Sequence, residues 1–316
     1  MQFTNSDLKT YAENYFNIKK ADVDEFRGQV KRLRDNLTEY INEHPGYGLV
    51  KMLHSGSVRK GTAIKTLNDM DVAVYVEKTA VNVDDESAIL HFVHDALVEI
   101  YTEKRNMKPE QFSIGHHCVK VSFRGSGLDV DVVPVIPNGE ADDRGHLITK
   151  DTGVRVLTSI PLHLEFIRKR KNAQPNFAQM VRITKWWRDQ RGFKFKSFLM
   201  ELIWAHIADT EGISIEIAQA LKQFFRYIIT TELKSAIIFT DYYKSSEVTL
   251  SAFGSNIFDP VNPDNNVGQS LDEQKRERII DEAEEALAFL THAEQASTKG
   301  VAVDRLKEIF GSSFSL

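Results

Sequence analysis

The chain has 316 residues, a formal net charge of −5, 42% hydrophobic residues and 27% charged residues, as is ordinary for a globular protein large enough for two lobes. This charge balance gives no sign of a protein that binds nucleic acid through bulk positive charge, so we expect no stable DNA binding. A single cysteine, Cys118, excludes an internal disulfide, and the absence of a signal-peptide pattern or an apolar run of membrane-spanning length predicts a cytoplasmic protein with no membrane partner.

The first part of the chain is predicted to mix helices with strands. Apolar residues at steps of three and four, such as Val23, Phe26 and Val30, indicate a helix over 20–44 that follows a shorter one over 6–16. The next predicted elements are strands over 49–53 and 69–76, a helix over 85–103, a short strand over 112–116, and a hairpin of strands 119–123 and 128–135.

From residue 159 onward the pattern becomes helical. Helices are predicted over 159–171, 175–190, 196–209, 213–231, 270–297 and 303–310. The irregular connection over 240–269, which holds Asp259, Asn265 and Asn266, either lines a functional groove or packs as a structural loop. We therefore expect an α+β fold with one domain over 1–158 and an all-helical one over 159–316.

The stretch from His54 to Val76 carries the clearest chemistry. Asp69 and Asp71 are two residues apart at the start of an apolar strand, so both carboxylates point to one face. Carboxylates held this close favour a hard divalent ion such as Mg²⁺. A turn at Gly56-Ser57 offers backbone N–H groups and a hydroxyl to a phosphate. The glycine spacing is that of a P-loop, but Thr62 stands where that motif requires lysine.

The hairpin supplies a third carboxylate. Its second strand carries Asp129 and Asp131 on one face, and either joins the metal site if this strand pairs beside the Asp69-Asp71 strand. Two ions bridged by three carboxylates can activate an attacking hydroxyl and stabilise a departing pyrophosphate. The residues therefore indicate nucleotidyl transfer.

This arrangement resembles the polymerase-β-like nucleotidyltransferase superfamily. The segments Lys185–Trp187, Lys196–Glu201 and Phe258–Val267 are similar to those of its oligoadenylate-synthetase-like branch. Three further segments resemble clade C of the bacterial cGAS/DncV-like nucleotidyltransferases (CD-NTases): LNDMDVAVYV, VSFRGSGLDVDVVPV and DPVNPDNNV. Members of clade C are the oligonucleotide cyclases of CBASS anti-phage operons. The resemblance implies a nucleotidyltransferase lobe with a mixed β-sheet, packed on an all-helical lobe.

The resemblance also assigns roles to residues. Asp131 is preferred to Asp129 because the family's third aspartate directly precedes a run like Val132-Val133-Pro134. The implied metal ligands and catalytic residues are Asp69, Asp71 and Asp131, and the implied phosphate contacts are Gly56, Ser57, Lys185 and Ser197. Two Mg²⁺ ions are expected as cofactors, with Mn²⁺ as an alternative.

The implied function is the synthesis of a cyclic oligonucleotide second messenger, cyclic tri-adenylate, from ATP. The implied partners are a HORMA-type activator protein and a downstream effector nuclease that senses the product. Three alternatives stay open: a linear oligoadenylate or tRNA-end nucleotidyltransferase, a cyclic dinucleotide synthase, and a non-enzymatic regulator on the same fold.

Overall fold

The computed structural model describes residues 2–44, 47–65, 69–78, 88–139 and 141–315. Its internal contacts group the chain into two compact units. The sheet unit comprises Ile18–Gly61 and Thr66–Glu165, and the helical unit comprises Met1–Asn17, Thr62–Lys65 and Phe166–Leu316. A single division at 158/159 stays a prediction, since these units draw together segments from distant parts of the sequence.

The elements up to residue 158 follow the predicted order. They are α1 Asn5–Tyr15, α2 Lys20–Glu43, β1 Tyr47–His54, α3 Gly56–Lys60, β2 Asp69–Lys78, α4 Ala88–Arg105, β3 Phe112–Ile114, β4 Val119–Phe123, β5 Leu128–Pro137, β6 Gly145–Ile148 and β7 Arg155–Thr158. Residues 85–87 of the predicted helix over 85–103 lie outside the described residues. The sequence analysis missed α3, β6 and β7, which are too short to show a periodic pattern.

The later elements are helices, as predicted. They are α5 Ile160–Ala173, α6 Phe177–Arg191, α7 Ser197–Thr210, α8 Ile217–Thr231, α9 Glu273–Gln295 and α10 Lys299–Phe310. All six starts differ from prediction by one to four residues. Capping side chains mark two of the observed starts: Asp272 accepts a hydrogen bond from the backbone of Lys275 at the start of α9, and Thr298 accepts one from Val301 at the start of α10. Among the described residues, no helix is both long enough and apolar enough to cross a membrane.

The strands of the sheet unit form one mixed sheet. Within the described residues its order is β1-β2-β5-β4-β3, with β6 paired to β5 and β7 to β6. β2 and β5 are parallel, whereas every other pair is antiparallel. The parallel pair brings the first residues of β2 and β5 to the same edge of the sheet.

One face of this sheet is covered by α2 and α4. Alternate strand residues, such as Val72 in β2 and Val130 in β5, are buried in a core with Leu33 of α2 and Leu97 of α4. The intervening residues of both strands therefore lie on the opposite face, where Tyr75 belongs to a smaller cluster with Ala73 and Val135. This alternation places Asp71 of β2 and Asp129 and Asp131 of β5 away from the main core.

The helical unit has its own apolar core. It gathers buried residues of α1 and of α5 to α10, and it includes all three tryptophans of the chain, Trp186, Trp187 and Trp204. Trp186 donates a hydrogen bond to the carbonyl of Phe310, which ties α6 to α10. The unit thus joins both ends of the chain, because Tyr11 of α1 also donates to that carbonyl.

The connection over 240–269 is held by hydrogen bonds within itself. The Asn266 side chain accepts from the backbone of Ile257 and donates to the carbonyl of Ser255, and Asp259 accepts from the backbone of Val261 and from the Asn265 side chain. These bonds favour the structural-loop interpretation of the segment, because they occupy the side chains that were candidates for a groove.

Candidate active site

The register of β2 and β5 brings two aspartates of the predicted site together. Asp71 pairs with Asp131, and the backbone of Asp69 pairs with that of Asp129. Paired residues of neighbouring strands point to the same face, so the Asp71 and Asp131 carboxylates share the face opposite α2 and α4. The Asp69 side chain lies outside the described part of the structure.

Gly56 lies against the Asp71 carboxylate. A Cβ atom at Gly56 would lie 1.7 Å from Asp71 Oδ2, and the backbone φ of Gly56 is +67°, a conformation that suits glycine. The backbone N–H of Ser55 also donates to the carbonyl of Asp71 at 2.9 Å. The Gly-Ser segment thus lies against Asp71, and the predicted turn continues into the short helix α3 with half-buried Ser57.

Lys120 of β4 lies beside the aspartates of β5. It pairs in register with Asp131, and its Nζ atom is 3.6 Å from an Asp129 oxygen and 3.9 Å from an Asp131 oxygen. The sequence analysis assigned Lys120 no role. The alternation Val119, Val121, Phe123 marked it as a residue of the other face, but only the strand pairing shows which carboxylates it meets.

Cys118 shares this electrostatic environment. Burial is the largest of the causes that together raise the pKa of its thiol to about 11; the negative charges of Asp131 and Asp71 act in the same direction, and Lys120 opposes them. The thiol is half-buried and stays protonated at neutral pH. The side chain therefore adds a neutral, weakly polar wall beside the carboxylates.

The donor set fits a hard divalent cation. Asp71 and Asp131 pair in register on one face, and the missing side chain of Gly56 leaves room for the Asp71 carboxylate, whose Oδ2 atom occupies the space that a Cβ would take. Carboxylate oxygens are the ligands that such a cation prefers. The described residues contain no group of three or more His, Cys, Asp or Glu side chains that could hold a metal ion. Asp69, the third predicted ligand, is not included in this statement because its side chain lies outside the described part of the structure.

Lys185 of α6 is part of a buried polar cluster in the helical unit. Its Nζ atom donates to Glu201 Oε1 at 3.0 Å, to the Thr62 carbonyl at 3.2 Å and to Thr62 Oγ1 at 3.3 Å. The Thr62 hydroxyl in turn donates to Glu201 at 2.7 Å. We call these three residues the Lys185 cluster. The sequence analysis missed Glu201, although a carboxylate within the apolar run of α7 is a signal of a buried partner.

Ser197 is the first residue of α7. Its hydroxyl accepts a hydrogen bond from Arg188 Nη1 at 3.0 Å, and Arg188 Nη1 also donates to the carbonyl of Phe195 at 2.8 Å. The serine is therefore held in a fixed position with a guanidinium beside it. Lys185 and Ser197 both belong to the helical unit, whereas Gly56, Asp71 and Asp131 belong to the sheet unit.

Comparison with known proteins identifies the family. Residues 1–149 match the model of the Second Messenger Oligonucleotide or Dinucleotide Synthetase domain. A cyclic AMP-AMP-AMP synthase from Escherichia coli strain MS 115-1 is 42% identical over 97% of this chain and 96% of its own length. The chain belongs to the CD-NTase family.

Further relatives place this CD-NTase among the CBASS enzymes. A CBASS oligonucleotide cyclase CdnC from E. coli strain KTE188 is 31% identical over 100% of this chain and 99% of its own length. CdnC of E. coli MS115-1 has been solved in a CdnC:HORMA-deltaN complex and with ATP, each at 40% identity. The two structures superpose with TM-scores of 0.87 and 0.86 and cover 100% and 99% of this chain and 99% of theirs. These matches confirm the predicted family and the predicted α+β nucleotidyltransferase fold.

Proposed function

We propose that this CD-NTase joins ATP molecules into cyclic tri-adenylate for CBASS anti-phage signalling. The observation that carries the proposal is the parallel register of Asp71 and Asp131, with Gly56 against the Asp71 carboxylate. Relatives of nearly full length support the product and the substrate, since one is named a cyclic AMP-AMP-AMP synthase and another was solved with ATP.

The carboxylates bind and orient the reacting groups. Asp69, Asp71 and Asp131 would hold two Mg²⁺ or Mn²⁺ ions, which when bound neutralise phosphate charge and favour ionisation of the acceptor hydroxyl. In each transfer a ribose hydroxyl oxygen of the acceptor bonds to the α-phosphorus of a 5′-triphosphate, which is that of ATP or, in ring closure, that of the linear chain itself. The bond to the β-phosphate bridging oxygen breaks, and pyrophosphate leaves with that electron pair. We assign to Asp131 the role of taking the proton from the acceptor hydroxyl.

Phosphate binding is assigned to backbone and hydroxyl groups. Gly56 allows the Asp71 carboxylate to lie against the backbone, because a side chain there would overlap it. We assign phosphate contact to the backbone N–H groups of this segment. Ser57 follows it in α3. We retain Ser197 as a phosphate contact because the Arg188 guanidinium beside its hydroxyl adds positive charge.

Lys185 is proposed as a phosphate contact with one condition. An ammonium has three N–H groups, and the Lys185 cluster offers it three acceptors at 3.0–3.3 Å. A phosphate would therefore replace one of these acceptors rather than add to them. This condition separates a role in ATP binding from a role in holding Thr62.

The proposed partners are a HORMA-type activator and a downstream effector nuclease. The HORMA partner is supported by the CdnC complex named above. The nuclease rests on the resemblance to CBASS operons. The expected cytoplasmic location rests on the sequence, in which we found no signal-peptide pattern and no apolar run of membrane-spanning length. We expect weak activity from the isolated chain and stimulation by the HORMA protein.

The test is a product assay with the purified protein. Each NTP, alone and in mixtures, is incubated with Mg²⁺, with and without the HORMA protein encoded in the same operon, and phosphatase-resistant products are identified by mass spectrometry. We expect cyclic tri-adenylate from ATP alone. A product fully degraded by phosphatase would be linear and would overturn the cyclase assignment, whereas a resistant dinucleotide would overturn only the ring size.

A paired variant tests the metal site in the same assay. Asp69→Asn combined with Asp71→Asn removes two neighbouring charges and is expected to abolish product without loss of folded protein. Circular dichroism is the control for folding. Normal pyrophosphate release by this variant would contradict the site assignment.

A further inference from the structure

Lys120 is a basic residue beside Asp131, the third carboxylate of the proposed metal site. It lies on β4 directly opposite Asp131, and its Nζ atom is 3.6 Å from Asp129 and 3.9 Å from Asp131. Its side chain is 42% exposed, so the ammonium is not fixed by burial and can change position. The strand pairing nevertheless keeps its Cα beside Asp131.

The charges on this face make such a cation useful. Asp71 and Asp131 are neighbours in register, Asp129 is two residues before Asp131, and like charges at this spacing repel. A positive charge close to Asp129 and Asp131 reduces that repulsion whenever no divalent ion is bound. A bound divalent ion would supply the same compensation, so the two cations would compete for Asp131.

We propose that Lys120 is a tethered cation that compensates the charges of Asp131 and Asp129 before metal binds. It thereby sets the metal concentration at which the site is half-saturated. It is a positioning residue, because it acts through the carboxylates rather than on the substrate. The proposal rests on the proposed function, in which Asp131 is a metal ligand. It extends that function to the control of metal affinity by a residue outside the ligand set.

The experiment compares Lys120→Met, which removes the charge, with Lys120→Arg, which keeps it. Lys31→Met is the matched control, because Lys31 is an exposed lysine on α2, the helix that covers the opposite face of the sheet. Thermal unfolding of each protein is followed during titration with Mn²⁺ in the presence of a non-hydrolysable ATP analogue. Pyrophosphate release is titrated with Mn²⁺ in parallel.

For Lys120→Met we expect a lower unfolding temperature without metal and half-saturation at about two- to five-fold lower Mn²⁺, the range set by exposed ion pairs. Lys120→Arg and Lys31→Met should behave as the wild type does. An unchanged half-saturation in Lys120→Met, or an equal change in Lys31→Met, would overturn the role of Lys120. A wild type whose unfolding temperature does not respond to metal would instead overturn the metal site of the proposed function.

Discussion

Removal of either charge from the Lys185 cluster should destabilise the protein far more than removal of both. Lys185 is 3% exposed and Glu201 is 2% exposed, so each charge depends on the other for compensation. Breaking a buried ion pair by removing one partner costs about 3–5 kcal/mol, because the remaining charge is left uncompensated. We expect this loss for Lys185→Met and for Glu201→Gln.

The double variant should be milder than either single one. In Lys185→Met with Glu201→Gln no charge remains, and the amide oxygen introduced at position 201 can still accept from the Thr62 hydroxyl. The residual cost is that of lost hydrogen bonds, about 1–3 kcal/mol. The expected coupling energy between the two positions is therefore at least about 3 kcal/mol, well above the additivity error for independent sites.

Tryptophan fluorescence during urea unfolding is a suitable measurement. All three tryptophans of the chain lie in the core of the helical unit, which also contains the Lys185 cluster, so the signal reports on that unit. Additive effects of the two substitutions would refute the reasoning, because they would mean that the charges do not compensate each other.

Steady-state kinetics of the same variants decide what the cluster does in catalysis. If Lys185 contacts ATP phosphate, Lys185→Met raises the KM for ATP much more than Glu201→Gln does. If the cluster mainly holds Thr62, the two single variants change the kinetics alike, and the double variant loses no more than either. Circular dichroism at the assay temperature is the control for folded protein.

The other predictions concern the carboxylates and a second ion pair. Gly56→Ala should reduce product formation by at least about 100-fold, which is the scale of a lost transition-state contact, because the methyl group would overlap the Asp71 carboxylate. Normal turnover of this variant would contradict that geometry. Asp131→Ala should cost about 1,000-fold in rate and Asp129→Ala much less, and the reverse order in a pyrophosphate assay would move the third ligand to Asp129. Burial alone would raise the pKa of the Asp241 carboxyl, but hydrogen bonds, chiefly from Arg170, lower it overall. The stabilisation from this lowered pKa is present above the unfolded value near 3.8 and lost as the pH falls below it, so Asp241→Asn should lose stability at pH 7 and show a weaker acid dependence in urea titrations.

The face of each aspartate was predictable because strands have a period of two. Each aspartate alternates with apolar neighbours, so the alternation determines its face, whereas the pairing of β2 with β5 remained a condition until the structure gave their register. A role for Gly56 could be suggested because a turn at a glycine can offer backbone N–H groups to a phosphate, and the family resemblance made it specific. The family resemblance then chose Asp131 over Asp129.

The partners of Lys185 and Lys120 were not predictable from local patterns. Glu201 lies on a different helix from Lys185, and Thr62 lies in a connection far away in sequence, so no periodicity links the three. Lys120 meets Asp131 only through the β4–β5 register. Contacts of this kind depend on how elements pack, and the hydrophobic pattern of one element does not contain that information.

The parallel pairing of β2 with β5 also affects how the enzyme is made. Parallel neighbours cannot be joined by a tight hairpin, so a helix and two further strands, α4, β3 and β4, must be synthesised and placed between them in the chain. Closing such a long loop is slow compared with forming local helices. A partly folded chain would have Asp71 without Asp131 beside it and, under the proposed function, would not hold the proposed ions. An incompletely folded molecule would therefore make no product.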